Sequence, residues 1–390
     1  MSEDEKPDPV YEPLPEADAA PAGMEDAGGT AFFTGSSQPV IRGRGARSNV
    51  TGRFERFAYE PFDDGWTEDD AIPRQLRTVT IKDTSRTIVN KNDSPDISFD
   101  WSINPYRGCE HGCIYCYARP SHAYWGYSPG LDFESVLFVK PDAPKLLEER
   151  FLHPRYRPEP IVIGSNTDCY QPIEREQQIT RELLKVFARF NHPVSIITKS
   201  ALVLRDLDIL GPMAAKGLVR AAISVTTLDR RLARDMEPRA ATPAKRLEAI
   251  RGLSEAGIPV TVMVAPVVPA LTDREMEKIL ESAAEAGAKS AGYVLLRLPH
   301  EIKDLFKEWL ATPRPDSASH VMSLIRQTRG GQEYDSSWGK RQRGEGPYAQ
   351  IIARRFRASV ERIGLNRPAP GLRVDLFERP LGAKNQGALF

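Results

Sequence analysis

The sequence predicts an α/β fold around a parallel sheet of six strands, preceded by a leader and followed by a helical extension. Three observations carry this prediction. EPIVIGSN (159–166), PVSIITKS (193–200), LVRAAISVTT (218–227), IPVTVMVAP (258–266) and GYVLLRLP (292–299) are apolar almost throughout rather than alternating, so they read as strands buried on both faces. Helically spaced segments lie between them, and repeated βα units imply parallel strands joined by right-handed crossovers. A further β-rich run, ISFDWSIN (97–104), brings the count to six, fewer than a closed eight-stranded barrel needs.

Taken in order, residues 1–75 are rich in Pro, Gly, Ala and acids, carry the breakers PAG, GG and GSSQP, and read as a disordered leader. Within it RGRGARSN (42–49) has the look of an Arg-Gly RNA-binding segment, but a single copy reads better as a linker. From residue 76 the runs TVTIKD, SRTIVN and ISFDWSIN lead into GCEHGCIYCYARP (108–120). HAYWGYSPGLDFE (122–134) then reads as packing for the first helix rather than as a lid. In EREQQITRELLKVFARF (174–190), Ile179, Leu183, Val186, Phe187 and Phe190 form one apolar stripe. In TPAKRLEAIRGLSEAG, Thr242 is placed to cap, Pro243 suits the first turn, Leu247, Ile250 and Leu253 make the stripe, and Gly257 ends it. Beyond residue 300 the pattern is helical, and LRVDLF (372–377) is a candidate returning strand. The expected divisions are a leader (1–75), a core with its β lead-in (76–300) and a helical extension (301–390).

Bulk properties narrow the function. At 390 residues, core volume is not limiting. Lys+Arg 53 balance Asp+Glu 53, so no global field draws the chain to nucleic acid or anionic lipid. Basic clusters at 42–56 and 340–357 are local, and solvated faces explain them as well as phosphate contacts do. Four cysteines are too few for a disulfide scaffold, which points to a reducing, cytoplasmic setting with thiols used as ligands. The acidic N-terminus lacks a signal-peptide pattern, and no apolar run approaches membrane-spanning length, so no membrane role is expected.

Cys109, Cys113 and Cys116 fall within eight positions. Three thiolates leave one tetrahedral position open. A structural zinc site would be closed by a fourth ligand, with Cys169, His111 or His122 on offer, and would suit a nucleic-acid-binding protein. A four-iron cluster held by three cysteines keeps an open iron instead. Ligands of parallel α/β folds bind at the carboxyl ends of strands. There, Ser165, Thr167 and Asp168 end the second strand, Lys199 and Ser200 the third, and Ser224 lies late in the fourth.

Cys109-x3-Cys113-x2-Cys116, with Tyr115 in the aromatic place and a βα array following, resembles the signature of the radical S-adenosylmethionine (radical SAM) superfamily over roughly residues 97–300. The resemblance implies a partial (β/α)6 TIM-like barrel with a [4Fe–4S] cluster on the three cysteines at its mouth. It also implies SAM at the open iron, an external flavodoxin- or ferredoxin-like electron donor, and a 5′-deoxyadenosyl radical that abstracts hydrogen. A cluster serving electron transfer alone would bind no SAM. The strand ends are similar to the spore photoproduct lyase-related branch, which implies cofactor contacts from Ser165, Lys199 and Ser224, with Tyr115 against the adenine. For Ser165 and Ser224 a hydroxyl bonded to its own turn is the competing reading. In the same branch Tyr117 and Cys169 would handle the radical. The residues themselves also suit shielding for Tyr117 and packing for Cys169, since Cys169 follows Ser165 where the branch places its cysteine before. Glu237 and Arg239 resemble a loop segment of this branch, where a local ion pair and a cofactor contact are equally open readings. Nucleic acid is a possible substrate.

Overall fold

The computed structural model describes residues 41, 43–55 and 76–380. Six parallel strands form its centre: β1 (Trp101–Ile103), β2 (Ile161–Ile163), β3 (Val194–Thr198), β4 (Val219–Ser224), β5 (Val260–Val267) and β6 (Ser290–Leu295). Their order in the sheet is their order in the chain, with Val89–Lys91 added antiparallel beyond β1. The register is continuous, with Ser102 opposite Val162, Val162 opposite Ser195 and Ser195 opposite Arg220. A wall built in chain order from βα repeats, whose first and last parallel strands do not pair with each other, is a barrel wall that stops at six strands.

The helices α1 (Ala143–Leu152), α2 (Ile179–Arg189), α3 (Leu207–Ala215), α4 (Pro243–Glu255) and α5 (Met276–Glu285) connect successive strands. In α2 the buried face is Ile179, Thr180, Leu183, Leu184, Val186 and Phe187, essentially the expected stripe. Leu183 and Phe187 are fully buried, each contributing about 1.5–3 kcal/mol of transfer free energy. The helix expected from residue 174 is broken, however, because Gln178 takes φ 51°. Buried Glu174 turns back to accept the Thr180 N–H at 3.1 Å and the Arg181 N–H at 3.3 Å, capping the second helix. In α4, Pro243 occupies the first turn and Gly257 (φ 77°) follows the end as expected, but Thr242 makes no side-chain cap bond.

Two features depart from the sequence reading. Val136–Val139 is a strand, parallel to Val79–Lys82 and antiparallel to Tyr106–Arg107, giving a separate three-stranded sheet from which the cysteine loop emerges. Conversely, 372–377 is not a strand. Phe377 instead joins the aromatic cluster of Phe151, Phe190 and His192, with the Glu378 N–H donating to the Phe190 carbonyl at 3.0 Å.

After β6 come α6 (Ile302–Leu310), α7 (Pro315–Gln327) and α8 (Gly346–Ile363). Helix α8 lies on α5, where Arg355 pairs with Glu277 at 2.8 Å and Arg362 with Glu281 at 2.7 Å. The segment between α7 and α8 crosses the open side of the sheet. The Leu295 N–H donates to the Gln342 carbonyl at 2.8 Å, while Arg341 and the Gly339 N–H hold Asp96, just before β1. This seam ties the β6 edge to the opposite side of the wall. All described residues belong to one compact unit, so the helical extension is continuous with the core. Among them, no helix is long and apolar enough to cross a membrane.

Candidate functional site

The cysteine loop begins where Tyr106–Arg107 ends. Gly108 has φ 77°, and a Cβ there would stand 2.8 Å from a Leu137 methyl and 2.9 Å from the Phe133 carbonyl, so only glycine fits. The Cys109 N–H donates to the Phe133 carbonyl at 2.9 Å. Gln171, after β2, accepts the Glu110 N–H at 2.8 Å and donates to the Gly108 carbonyl at 3.2 Å. The Ile114 N–H reaches the Met236 carbonyl at 3.0 Å. Backbone bonds thus fasten the loop to two sides of the barrel, leaving the thiols free of structural duty.

Beneath the loop lies a fully buried ion pair, Arg119 with Glu134. Arg119 also donates to the carbonyls of Cys113 at 2.9 Å, Pro129 at 3.1 Å and Gly130 at 2.8 Å. Glu134 accepts two further donors, the N–H groups of Gly45 at 2.9 Å and Ala46 at 2.8 Å. The segment expected to be a linker is therefore, at 43–55, a strap against the loop. A Cβ on Gly45 would fall 1.8 Å from the Gly112 carbonyl oxygen, which leaves no room for any side chain. Farther along, Ser48 donates to Glu308 at 2.7 Å, Asn49 to Asp132 at 2.8 Å, and Arg53 pairs with Glu301 at 3.1 Å. The strap thereby joins the cysteine loop to α6 and the residue just before it. In 122–134, His122, Phe133 and Glu134 are buried as packing, while Tyr124 and Trp125 remain exposed.

Above the loop, its two tyrosines reach the strand ends. Tyr115 is buried and donates its hydroxyl to Glu237; Thr226, past β4, donates to the same carboxylate at 2.8 Å, and Arg246 pairs with it. Arg246 also donates to the Ser224 carbonyl at 3.2 Å. The Lys199 ammonium stands 5.8 Å from the centre of the Tyr115 ring. Tyr117 donates to the Ser165 carbonyl and lies under the Arg297 guanidinium, 5.1 Å from its ring centre. Ser165, through its carbonyl, and Lys199 thus meet the tyrosines at the carboxyl ends of β2 and β3, while Ser224 at the end of β4 is reached by Arg246. The expected Glu237–Arg239 pair does not form: Glu237 is taken by Arg246, and Arg239 reaches Glu110 at 2.9 Å. Thr167 donates to the Tyr106 carbonyl at 2.6 Å, and Ser200 caps the turn after β3 through the Leu202 N–H at 3.2 Å.

Asp168 organises the back of the mouth. It accepts Thr198 Oγ1 at 2.7 Å and the N–H groups of Lys199 at 2.8 Å and Tyr170 at 2.9 Å, and stands 3.4 Å from His111. Burial alone would raise its pKa; His111 and these donors outweigh burial and hold it well below the usual carboxylate range. The three loop thiols move the other way. Burial pushes each of them up, reinforced by Asp168 and the other two thiols at Cys109 and by Glu237 at Cys113, while Lys199 opposes it at Cys113 and Arg119 at Cys116. Buried thiolates without a cation are disfavoured here, and a thiophilic metal supplies that missing charge. Among the described residues no group of three or more His, Cys, Asp or Glu side chains is already gathered as a metal site.

Among the described residues, none of the fourth ligands considered for a closed zinc site is gathered with the loop cysteines into one metal-binding group. His111 faces Asp168, and His122 is buried against Phe133 and Phe138 with Nε2 3.0 Å from the Val136 carbonyl. Cys169 is fully buried, its thiol 3.8 Å from the Ile197 carbonyl and in the space beside Gly164. Three thiols on one short loop are a donor set of the chemical kind that a four-iron cluster takes while keeping one iron open.

Relatives and solved structures agree with this geometry. An uncharacterized protein of Mycobacterium tuberculosis is 36% identical over 232 residues, covering 59% of this chain and 68% of its own length. One from Methanocaldococcus jannaschii is 30% identical over 195 residues, 50% of this chain and 70% of its own length. The family model of the radical SAM superfamily matches residues 103–283, from the end of β1 into α5. The chain belongs to the radical SAM superfamily. Membership makes it an enzyme of that class and implies a [4Fe–4S] cluster and SAM. As a radical SAM fold it is similar to a mutant of spore photoproduct lyase (TM-score 0.53, 19% identity, 74% of this chain and 81% of that one) and to the same enzyme complexed with dinucleoside spore photoproduct (0.53, 19%, 74% and 81%). That likeness shows a shared partial barrel.

Sequence reasoning missed Arg119, Glu134, Gln171, Arg246 and Arg297. The first four act through long-range polar bonds that no local spacing announces. Arg297 carried a signal, a lone cation at the end of an apolar strand run, of the kind that singled out Lys199.

Proposed function

We propose that Cys109, Cys113 and Cys116 hold the cluster, and that Ser165, Lys199, Ser224 and Tyr115 hold SAM for reductive cleavage followed by hydrogen abstraction from a substrate. The observation that carries this reading is the loop's three thiols, two buried and one half-buried, with no His, Cys, Asp or Glu gathered beside them as a fourth ligand among the described residues. When bound, the cluster supplies the electron that breaks the SAM sulfonium bond, releasing methionine and a 5′-deoxyadenosyl radical.

The chain's own residues orient and enclose. Lys199 presents a point positive charge suited to the SAM carboxylate. The Tyr115 ring, fixed by Glu237 and Arg246, offers a rigid face for the adenine. Ser165 and Ser224 offer hydroxyls at neighbouring strand ends. The strap and the loop shield one side from water, which protects a reactive radical. Tyr117, in contact with the Ser165 carbonyl, is the radical-handling candidate on the solvent side. Cys169 has a weaker case in that role, because its thiol is packed inside the wall.

Anaerobic reconstitution with iron and sulfide is expected to load about four irons per chain and to give reductant-dependent release of 5′-deoxyadenosine. Cys113→Ala is expected to lose both. Retention of either signal in that variant would overturn the assignment.

A further inference from the structure

The rim of the mouth is unevenly charged. At the seam, Arg297 leaves the end of β6 and lies over the Tyr117 ring with its Nε buried and without a hydrogen-bond partner. Neighbouring Asp96 is already taken by Arg341 and the Gly339 N–H, and among the described residues no carboxylate pairs with Arg297. Arg329 lies beside it, 2% exposed, donating only to neutral acceptors, the carbonyls of Lys340 at 2.8 Å and Leu296 at 2.6 Å. Burial, then the nearby charge of Arg297, lowers the Arg329 pKa to about 10. The carboxylates nearest these two guanidinium groups, Asp96, Asp335 and Glu345, are bonded instead to Arg341, the Ser337 N–H and Lys340, so neither arginine has a carboxylate bonded to it, and an incoming anion would supply that partner.

The same rim carries aromatic faces open to solvent. Tyr117 is 45% exposed and Trp338 is 52% exposed, with Arg341 stacked 4.0 Å from the Trp338 ring centre. A guanidinium fork matches a phosphate oxygen pair, and exposed rings beside it stack bases without regard to sequence. A peptide carboxylate would use the arginine but not the rings.

We propose that Arg297 anchors a backbone phosphate of a single-stranded nucleic-acid substrate at the seam, with Tyr117 and Trp338 stacking the flanking bases. This rests on the reading that the mouth is where SAM is cleaved, and it names the substrate class brought there.

The test uses the anaerobically reconstituted protein with labelled oligothymidylate and oligouridylate as probes, at several salt concentrations. At least one probe is expected to bind, and Arg297→Gln to weaken that binding roughly tenfold or more. The slope of log affinity against log salt is expected to fall by about 0.7, one single-strand phosphate contact. Arg297→Lys should keep the slope while losing part of the affinity, and Trp338→Ala should weaken binding with the slope unchanged. Thermal stabilisation by SAM should be the same in Arg297→Gln and wild type. The proposal is overturned if neither probe binds, if Arg297→Gln binds as wild type does, or if that variant loses stabilisation by SAM, which would make Arg297 a cofactor contact. Release of 5′-deoxyadenosine without oligonucleotide tests the cofactor reading separately. A protein that releases it yet ignores both probes refutes only the nucleic-acid proposal.

Discussion

Two arginine sites flank the cysteine loop with opposite charge balances. Below it, Arg119 is buried with Glu134, and its three other bonds go to backbone carbonyls. At the seam, Arg297 and Arg329 are drawn in without a carboxylate of their own. The first arrangement is closed and fixes geometry. The second lacks a directly bonded carboxylate, and it is where the proposed phosphate would bind. The contrast teaches that burial of charge separates scaffold from binding surface only when the counter-charges are counted with it.

The largest effect is expected at the closed site. Glu134→Ala leaves Arg119 buried without its partner and strips the Gly45 and Ala46 N–H groups of their acceptor. Breaking such a pair costs about 3–5 kcal/mol, readable as a lower midpoint in urea unfolding. A loss below about 1 kcal/mol would erase the distinction, since that is the scale of an exposed pair.

A buried group kept neutral gives a second, intermediate test. Burial lowers the His192 pKa from 6.5 to about 3, with its ring stacked on Phe151 and Nε2 2.8 Å from the Tyr156 hydroxyl. Below pH 6.5 the unfolded chain takes up this proton and the folded chain does not. Stability is therefore full above pH 6.5 and falls as pH drops toward 3, by about 1.4 kcal/mol per pH unit for this group. Urea midpoints at pH 7, 6 and 5 should show that slope reduced in His192→Phe; an unchanged slope would assign the acid sensitivity to other groups.

The smallest effect belongs to the open site. Arg297→Met keeps the stem over Tyr117 and removes a charge that has no carboxylate bonded to it, so its stability should stay within about 0.5 kcal/mol of wild type. A loss comparable to that of Glu134→Ala would mean that the seam arginine is scaffold after all.

Much of the fold was legible because burial on both faces leaves a local trace. The strands after residue 158 appeared as unbroken apolar runs, and the α2 stripe from its spacing. What stayed hidden depends on pairings distant in sequence. Gln178 breaks a helical pattern because buried Glu174 finds its donors on the far side of the break. Val136–Val139 is four residues long and is a strand only because Val79–Lys82 and Tyr106–Arg107 pair with it. Phe377, in a run that looked strand-like, is held by an aromatic cluster rather than a ladder. At the site, the three cysteines and the strand-end residues were visible as motif and interruption. Glu134 closed a segment that read only as packing, and Arg119 and the strap give it a role.

The strap also sets an order of events during synthesis. Its residues emerge first, and their acceptor Glu134 follows, but Glu308, which holds Ser48, is 260 positions further on than that serine. At ordinary translation rates roughly 10–38 s separate completion of the cysteine loop from completion of α6. Throughout that interval the nascent loop is made but not yet belted to α6, leaving it open to whatever delivers its inorganic contents before the finished chain draws shut.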